Sequence, residues 1–182
     1  SHTNNANPTN GFWISHQPPG TAERIIFSWN DTDNISDVDS FLQGTEYQLV
    51  CVWNGSNAII YRNGTAVKTI ARTVNPSTTT GTLKIGNEAS FYGNQFMDGY
   101  IAEVGMWNRA LTVGEVASLG NRFSPLFFTN GLVFYCPIIG RNSPETGIVS
   151  GQTGTLTGTT NVAHPRIIYP YGDPTGIKIP TL

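Results

Sequence analysis

The chain has 182 residues, a formal net charge of −2 and only 12% charged residues, while Gly, Ser, Thr, Asn and Pro are plentiful. That length suffices for one domain burying roughly 70% of its unfolded surface, and the near-neutral charge excludes electrostatic recruitment by nucleic acid or an anionic membrane. No apolar run approaches the ~20 residues that cross a bilayer, and residues 1–10, SHTNNANPTN, lack the basic region and apolar core of a signal peptide.

Such a composition predicts many short strands joined by turns. After a polar amino-terminal loop, residues 11–15 read as a short strand that ends before Pro18-Pro19-Gly20, and residues 22–29, AERIIFSW, form the next. Residues 30–40, NDTDNISDVDS, carry Asp31, Asp33, Asp37 and Asp39, four of the chain's twelve acids. Two readings compete there. Alternating carboxylates suit a calcium loop, but Ile35 occupies a ligand position of the EF-hand pattern, Ser36 replaces its turn glycine, and no glutamate closes it. The plainer reading is a solvated loop and edge strand whose charges discourage edge-to-edge pairing.

Residues 47–53, YQLVCVW, are apolar almost throughout, which predicts a central strand covered on both faces. Residues 58–62 return as its partner after the Asn54-Gly55 turn. Asn63-Gly64 is the strongest hairpin signal in the chain, a type I′ turn, and residues 65–74 and 82–86 continue an antiparallel meander.

Residues 85–119 then read as a strand end, an aromatic loop, an Asp98-Gly99 turn, a strand and a short helix. Over residues 100–107, Tyr100, Ala102, Val104 and Met106 share one face, and Ile101, Glu103, Gly105 and Trp107 the other. Thr112 and Glu115 form a capping-box start for a helix over residues 112–119, and Gly120 is its stop. Residues 132–139, LVFYCPII, make another apolar strand, with Pro137 placing its end at an edge or bulge. Residues 146–162 are Gly/Thr-rich and weakly alternating. Pro165, Pro170, Pro174 and Pro180, with apolar residues between them, predict an extended arm that packs on its own domain or on a neighbour.

Reactive constellations are scarce. His2, His16 and His164 stand isolated, without a second ligand at zinc spacing. Cys51 and Cys136 sit in apolar strands as small hydrophobes, and a disulfide between them would need a Cα separation that sequence cannot supply. No nucleophile elbow or phosphate-binding glycine loop occurs. Glu103 is the one acid in mid-strand, and glycoside hydrolysis needs a pair. Its simpler role is an ion pair or hydrogen bond at a sheet surface. The dipeptide Trp-Asn closes three strands, at Trp29, Trp53 and Trp107; exposed tryptophans there would make a sugar-stacking platform, while the plainer reading is rim packing followed by an Asn-initiated turn. Four Asn-x-Ser/Thr sequons, at Asn30, Asn34, Asn54 and Asn63, follow from turn composition and are not read as a sign of secretion.

Residues 41–120 resemble the laminin-G-like, concanavalin-A-like jelly-roll family. The resemblance rests on Tyr47-Gln48-Leu49-Val50, Ile60-Tyr61-Arg62-Asn63-Gly64, Leu83-Lys84-Ile85-Gly86, Met97-Asp98-Gly99-Tyr100-Ile101-Ala102-Glu103-Val104, Trp107-Asn108-Arg109-Ala110-Leu111-Thr112 and Glu115-Val116. It implies an all-β fold, a two-sheet antiparallel β-sandwich (jelly roll), over residues 1–140, followed by a strand and extended arm over residues 141–182. Family members begin with further strands before anything like GFWIS, so these are expected to be missing or supplied by another chain. The Glu-x-Asp-x-x-Glu strand motif of the superfamily's glycosidases is absent, so no hydrolytic activity is expected. Residues 134–139 and 161–170 resemble, over a shorter pattern, a tail on jelly-roll proteins of tailed phages.

The expectation is therefore a non-enzymatic structural protein of a virion surface, a capsid decoration or fibre component. It docks on other virion proteins and forms homo-oligomers through its arm, and host-surface glycans are a further partner. No membrane insertion, nucleic-acid partner or cofactor is expected, with calcium at Asp31, Asp33, Asp37 and Asp39 the one alternative. Trp29, Trp53, Tyr169 and Tyr171 are the candidates for glycan or partner contact. The alternative is a secreted or cell-surface glycan-binding lectin module, calcium-dependent if the aspartates bind.

Overall fold

The computed structural model describes residues 12–17, 24–29, 33–37, 42, 44–74, 83–88, 95–139, 144–160 and 162–170. The chain divides into two compact units, Ser1–Phe96 with Thr112–Gly120, and Met97–Leu111 with Asn121–Leu182.

In the first unit, alternation and turns dictate two antiparallel sheets. Strands β1 (Phe12–Gln17), β2 (Arg24–Trp29) and β3 (Asp33–Asp37) pair in that order. Among the described residues, β3, which carries Asp33 and Asp37 of the aspartate-rich segment, lies at the edge of this sheet. Strands β4 (Leu49–Trp53), β5 (Asn57–Arg62) and β6 (Thr65–Ala71) form the second sheet. The β5–β6 hairpin turns on Asn63 and Gly64, with φ of 50° and 80°, the two left-handed residues a type I′ turn requires. Ile25 and Phe27 of β2 bury against Ala58 and Ile60 of β5, with Leu49, Cys51, Trp53, Val67 and Ile70 packed around them. Two antiparallel sheets meeting over one apolar layer are a β-sandwich.

One expectation needs correction. Among the described residues, the apolar run at residues 47–53 is not a central strand: β4 lies at the edge of its sheet, and β5 lies between β4 and β6. The sheet is nevertheless covered on both faces, because Val52 and Tyr61 are buried on the side opposite Ala58 and Ile60. Apolarity on both faces reports coverage of the sheet, and says nothing about which strand lies in its middle.

Helix α1 (Val113–Gly120) begins at the expected capping box. The Thr112 amide donates to Glu115 Oε2 at 2.7 Å, and the Glu115 amide donates to Thr112 Oγ1 at 3.2 Å. Gly120 ends the helix for a tertiary reason. A Cβ there would stand 2.5–2.6 Å from the backbone of Asn63 and Gly64, so the helix end can meet the hairpin turn only without a side chain. Of the strand expected at residues 82–86, residues 83–86 are irregular, and β7 (Asn87–Glu88) pairs instead with β8 (Gln95–Phe96).

In the second unit, β9 (Val104–Trp107) pairs antiparallel with β10 (Leu132–Cys136), and β11 (Glu145–Thr146) with β12 (Thr153–Gly154). The strand expected over residues 100–107 therefore starts four residues late. Glu103 stops it, with φ of 58°, because a left-handed residue cannot continue a pleated ladder. Pro125–Phe127 form a 3-10 turn capped by Ser124, whose Oγ accepts from the Leu126 amide. From the C-terminal stretch, Ile168 forms a parallel bridge with Phe123: its amide donates to Arg122 O at 2.8 Å, and its carbonyl accepts from the Ser124 amide at 2.9 Å. Cys51 and Cys136 are free thiols.

Candidate functional site

The polar cluster in the second unit is built around Glu103. Its left-handed backbone lets its amide donate to Pro137 O at 3.1 Å, which ties the residue to the segment just past β10. The carboxylate is 13% exposed, and each oxygen has a donor. Tyr135 of β10, fully buried, donates its hydroxyl to Oε2 at 2.7 Å. Tyr169 donates to Oε1 at 3.0 Å, and His164 Nε2 stands 3.2 Å from the same oxygen.

A second layer fixes these donors. The Ser124 hydroxyl, fully buried, donates to Tyr135 Oη at 3.3 Å. The His164 ring lies between two carbonyls, with Nδ1 2.9 Å from Pro165 O and Nε2 3.0 Å from Pro137 O. Burial pushes the Glu103 carboxyl above the ordinary glutamate range, against the opposing pull of the Tyr135 and Tyr169 hydrogen bonds and of His164. Burial, and then the Glu103 charge, raise both phenols, so Tyr135 and Tyr169 remain neutral donors.

Both oxygens of the carboxyl are thus occupied by donors of its own chain. The groups that bear on Glu103 are two phenols and an imidazole, none a carboxylate, whereas glycoside hydrolysis runs on a carboxyl pair. The sequence pointed to an ion pair or hydrogen bond for Glu103 at a sheet surface, but not to Tyr135, Tyr169, Ser124 and His164 as its surroundings. A signal was there: an acid alternating into an apolar strand demands donors, and the phenols of neighbouring apolar segments are the natural source.

The other expected contact residues are placed as follows. Trp53 is half-buried against the first unit's core, and its indole N–H donates to Arg72 O at 2.9 Å. The hydroxyl of Tyr169 is committed to Glu103. Trp29, Asp33 and Asp37 are described as strand backbone, and Asp31, Asp39 and Tyr171 lie outside the described residues. Among the described residues, no group of three or more His, Cys, Asp or Glu could hold a metal ion, and no helix is long and apolar enough to cross a membrane. The most exposed aromatic ring among the described residues is Tyr100, at 76%, beside Asp98-Gly99 with Met97 half exposed next to it.

Comparison with known proteins gives a family match over most of the chain. The family model described as Laminin_G_3, concanavalin A-like lectin/glucanases superfamily, matches residues 2–117. No curated protein matches in sequence. Among solved structures, residues 221–444 of an S-layer domain-containing protein from Clostridium thermocellum ATCC 27405 are similar at 16% identity and a TM-score of 0.38. That match covers 63% of this chain and 65% of the other. Neither match lends support to a virion role.

Proposed function

The chain belongs to the concanavalin A-like lectin/glucanases superfamily, and from that premise we propose that it is a carbohydrate-binding surface module that does not cleave its ligand. The family match supports carbohydrate as the ligand class. The observation that carries binding without cleavage is the state of Glu103: both carboxylate oxygens are engaged by Tyr135, Tyr169 and His164, leaving neither a free base nor a paired acid.

On this reading the contact surface is formed by exposed turns. Tyr100, beside Asp98, offers an accessible ring for stacking on a sugar face and a neighbouring carboxylate for its hydroxyls. Trp53 contributes to the sandwich core instead, since its indole donor is already used.

A glycan array run with and without a calcium chelator, paired with a reducing-end release assay, tests this function. Retention of specific glycans without release is the expected result. Tyr100→Ala should weaken the retained signal roughly tenfold, the loss of about one stacking contact. Absence of retention on every glycan would overturn the binding reading; release abolished by Glu103→Gln would overturn the non-hydrolytic one. Loss of retention with chelator would add calcium to the site.

The setting on this reading is an extracellular surface. The virion is the special case suggested by the C-terminal resemblance, and it is measured by whether deleting residues 165–182 abolishes association with particles or between copies.

A further inference from the structure

We infer that residues 164–170 form a strap closed by a single proton held between Glu103 Oε1 and His164 Nε2, so that strap release is linked to pH. Pro165 and Pro170 have no N–H to give. The backbone is pinned at Ile168, through Arg122 O and the Ser124 amide, and the remaining ties are the Tyr169 phenol and the His164 ring.

The ring decides the stoichiometry. Its polar neighbours are Pro165 O at Nδ1, and Pro137 O and Glu103 Oε1 at Nε2, acceptors in each case. A neutral imidazole has one N–H. With that hydrogen on Nδ1, the Nε2 lone pair faces two oxygens; with it on Nε2, the Nδ1 lone pair faces Pro165 O. One added proton from solvent resolves the conflict. It makes the ring a donor at both nitrogens, Nδ1–H to Pro165 O and Nε2–H to Pro137 O and Glu103 Oε1. The closed strap is satisfied with that proton and frustrated without it.

Among the described residues, the other groups facing this pair do not compete for its proton. Tyr135 from β10 and Tyr169 from the strap are neutral donors, held so by burial. Ser124 contributes a hydroxyl that does not titrate. The Cys136 thiol of β10, which feels the charges of Glu103 and of Glu145 from β11, is kept neutral by burial. Arg166 on the strap is exposed. Burial also raises the Glu103 carboxyl, which strengthens proton retention in the closed form. Opening the strap parts the two groups and returns the shared proton to water, so closure takes up one proton and acid tightens the strap.

Amide hydrogen exchange in the full chain, corrected for the intrinsic rate, tests this between about pH 5 and 8. Protection of the Ile168 and Ser124 amides should fall as pH rises, by up to about tenfold per pH unit, the slope for one linked proton. The Arg72 amide, bonded to Ser56 O in the first unit, should keep constant protection. The double variant Glu103→Gln/His164→Gln, which removes both groups that share the proton, should remove the slope. Tyr169→Phe should lower strap protection yet keep the slope, a second readout if the double variant does not fold. Flat wild-type protection, an unchanged slope in the double variant, or a parallel fall at Arg72 would each overturn it.

Discussion

A carboxylate is expensive to take out of water, and Glu103 shows how this chain meets that cost with neutral donors. Tyr135 and Tyr169 supply hydroxyls that stay protonated because burial raises their own titration. Removing the acceptor orphans them: Glu103→Ala should cost about 1–3 kcal/mol in denaturant unfolding, and Glu103→Gln less, because an amide oxygen still accepts. The sign of the pH effect follows from the raised carboxyl. Its stabilising contribution is full below the ordinary glutamate range and is lost as pH rises through the higher native value. Thermal melts should therefore show stability falling from mildly acidic to neutral pH, with a flatter profile in Glu103→Gln. Cys51 is a simpler case at this scale. Burial pushes its thiol up to about 12, so a thiol reagent at mildly alkaline pH should label it only upon unfolding.

Among the elements, those defined by local chemistry stand where the sequence puts them. The Asn63-Gly64 turn and the Thr112–Glu115 capping box need only neighbours within a few residues, and both form as read. Thr112→Ala should destabilise the fold by about 1 kcal/mol, the usual worth of an N-cap. Gly120→Ala should cost more, although alanine is the better helix former, because its Cβ would meet the Asn63-Gly64 backbone. Comparing the two variants by denaturant unfolding separates local capping from tertiary approach. Where the reading and the structure differ, a distant contact intervenes. The alternation over residues 100–107 is genuine in sequence, yet Glu103 turns left-handed to reach Pro137 O, and β9 starts only at Val104. Likewise, β4 is apolar enough for a central strand but among the described residues has one hydrogen-bonded neighbour, β5.

At the scale of the whole molecule, a net charge of −2 spread over 182 residues leaves no field to steer a charged partner. Binding of a neutral glycan should accordingly change less than about twofold between roughly 0.05 and 0.5 M salt in a titration, whereas a polyanion-binding protein would lose affinity steeply. Sequence alone determined the β-rich class and the position of the capped helix, because strand alternation, turn residues and caps are set by spacings of two to four residues; the sandwich followed from the family resemblance of residues 41–120. It could also tell that Glu103 needed hydrogen-bond partners. Which partners it found was decided by tertiary structure alone: Tyr135 lies 32 residues away and Tyr169 lies 66, separations at which no periodicity carries information. His164, isolated in sequence, becomes the second half of a proton-sharing pair through the same convergence. The physical reason is that local conformation is fixed by neighbours along the chain, while the dielectric and donors around a buried charge are set by whatever segments the fold brings against it.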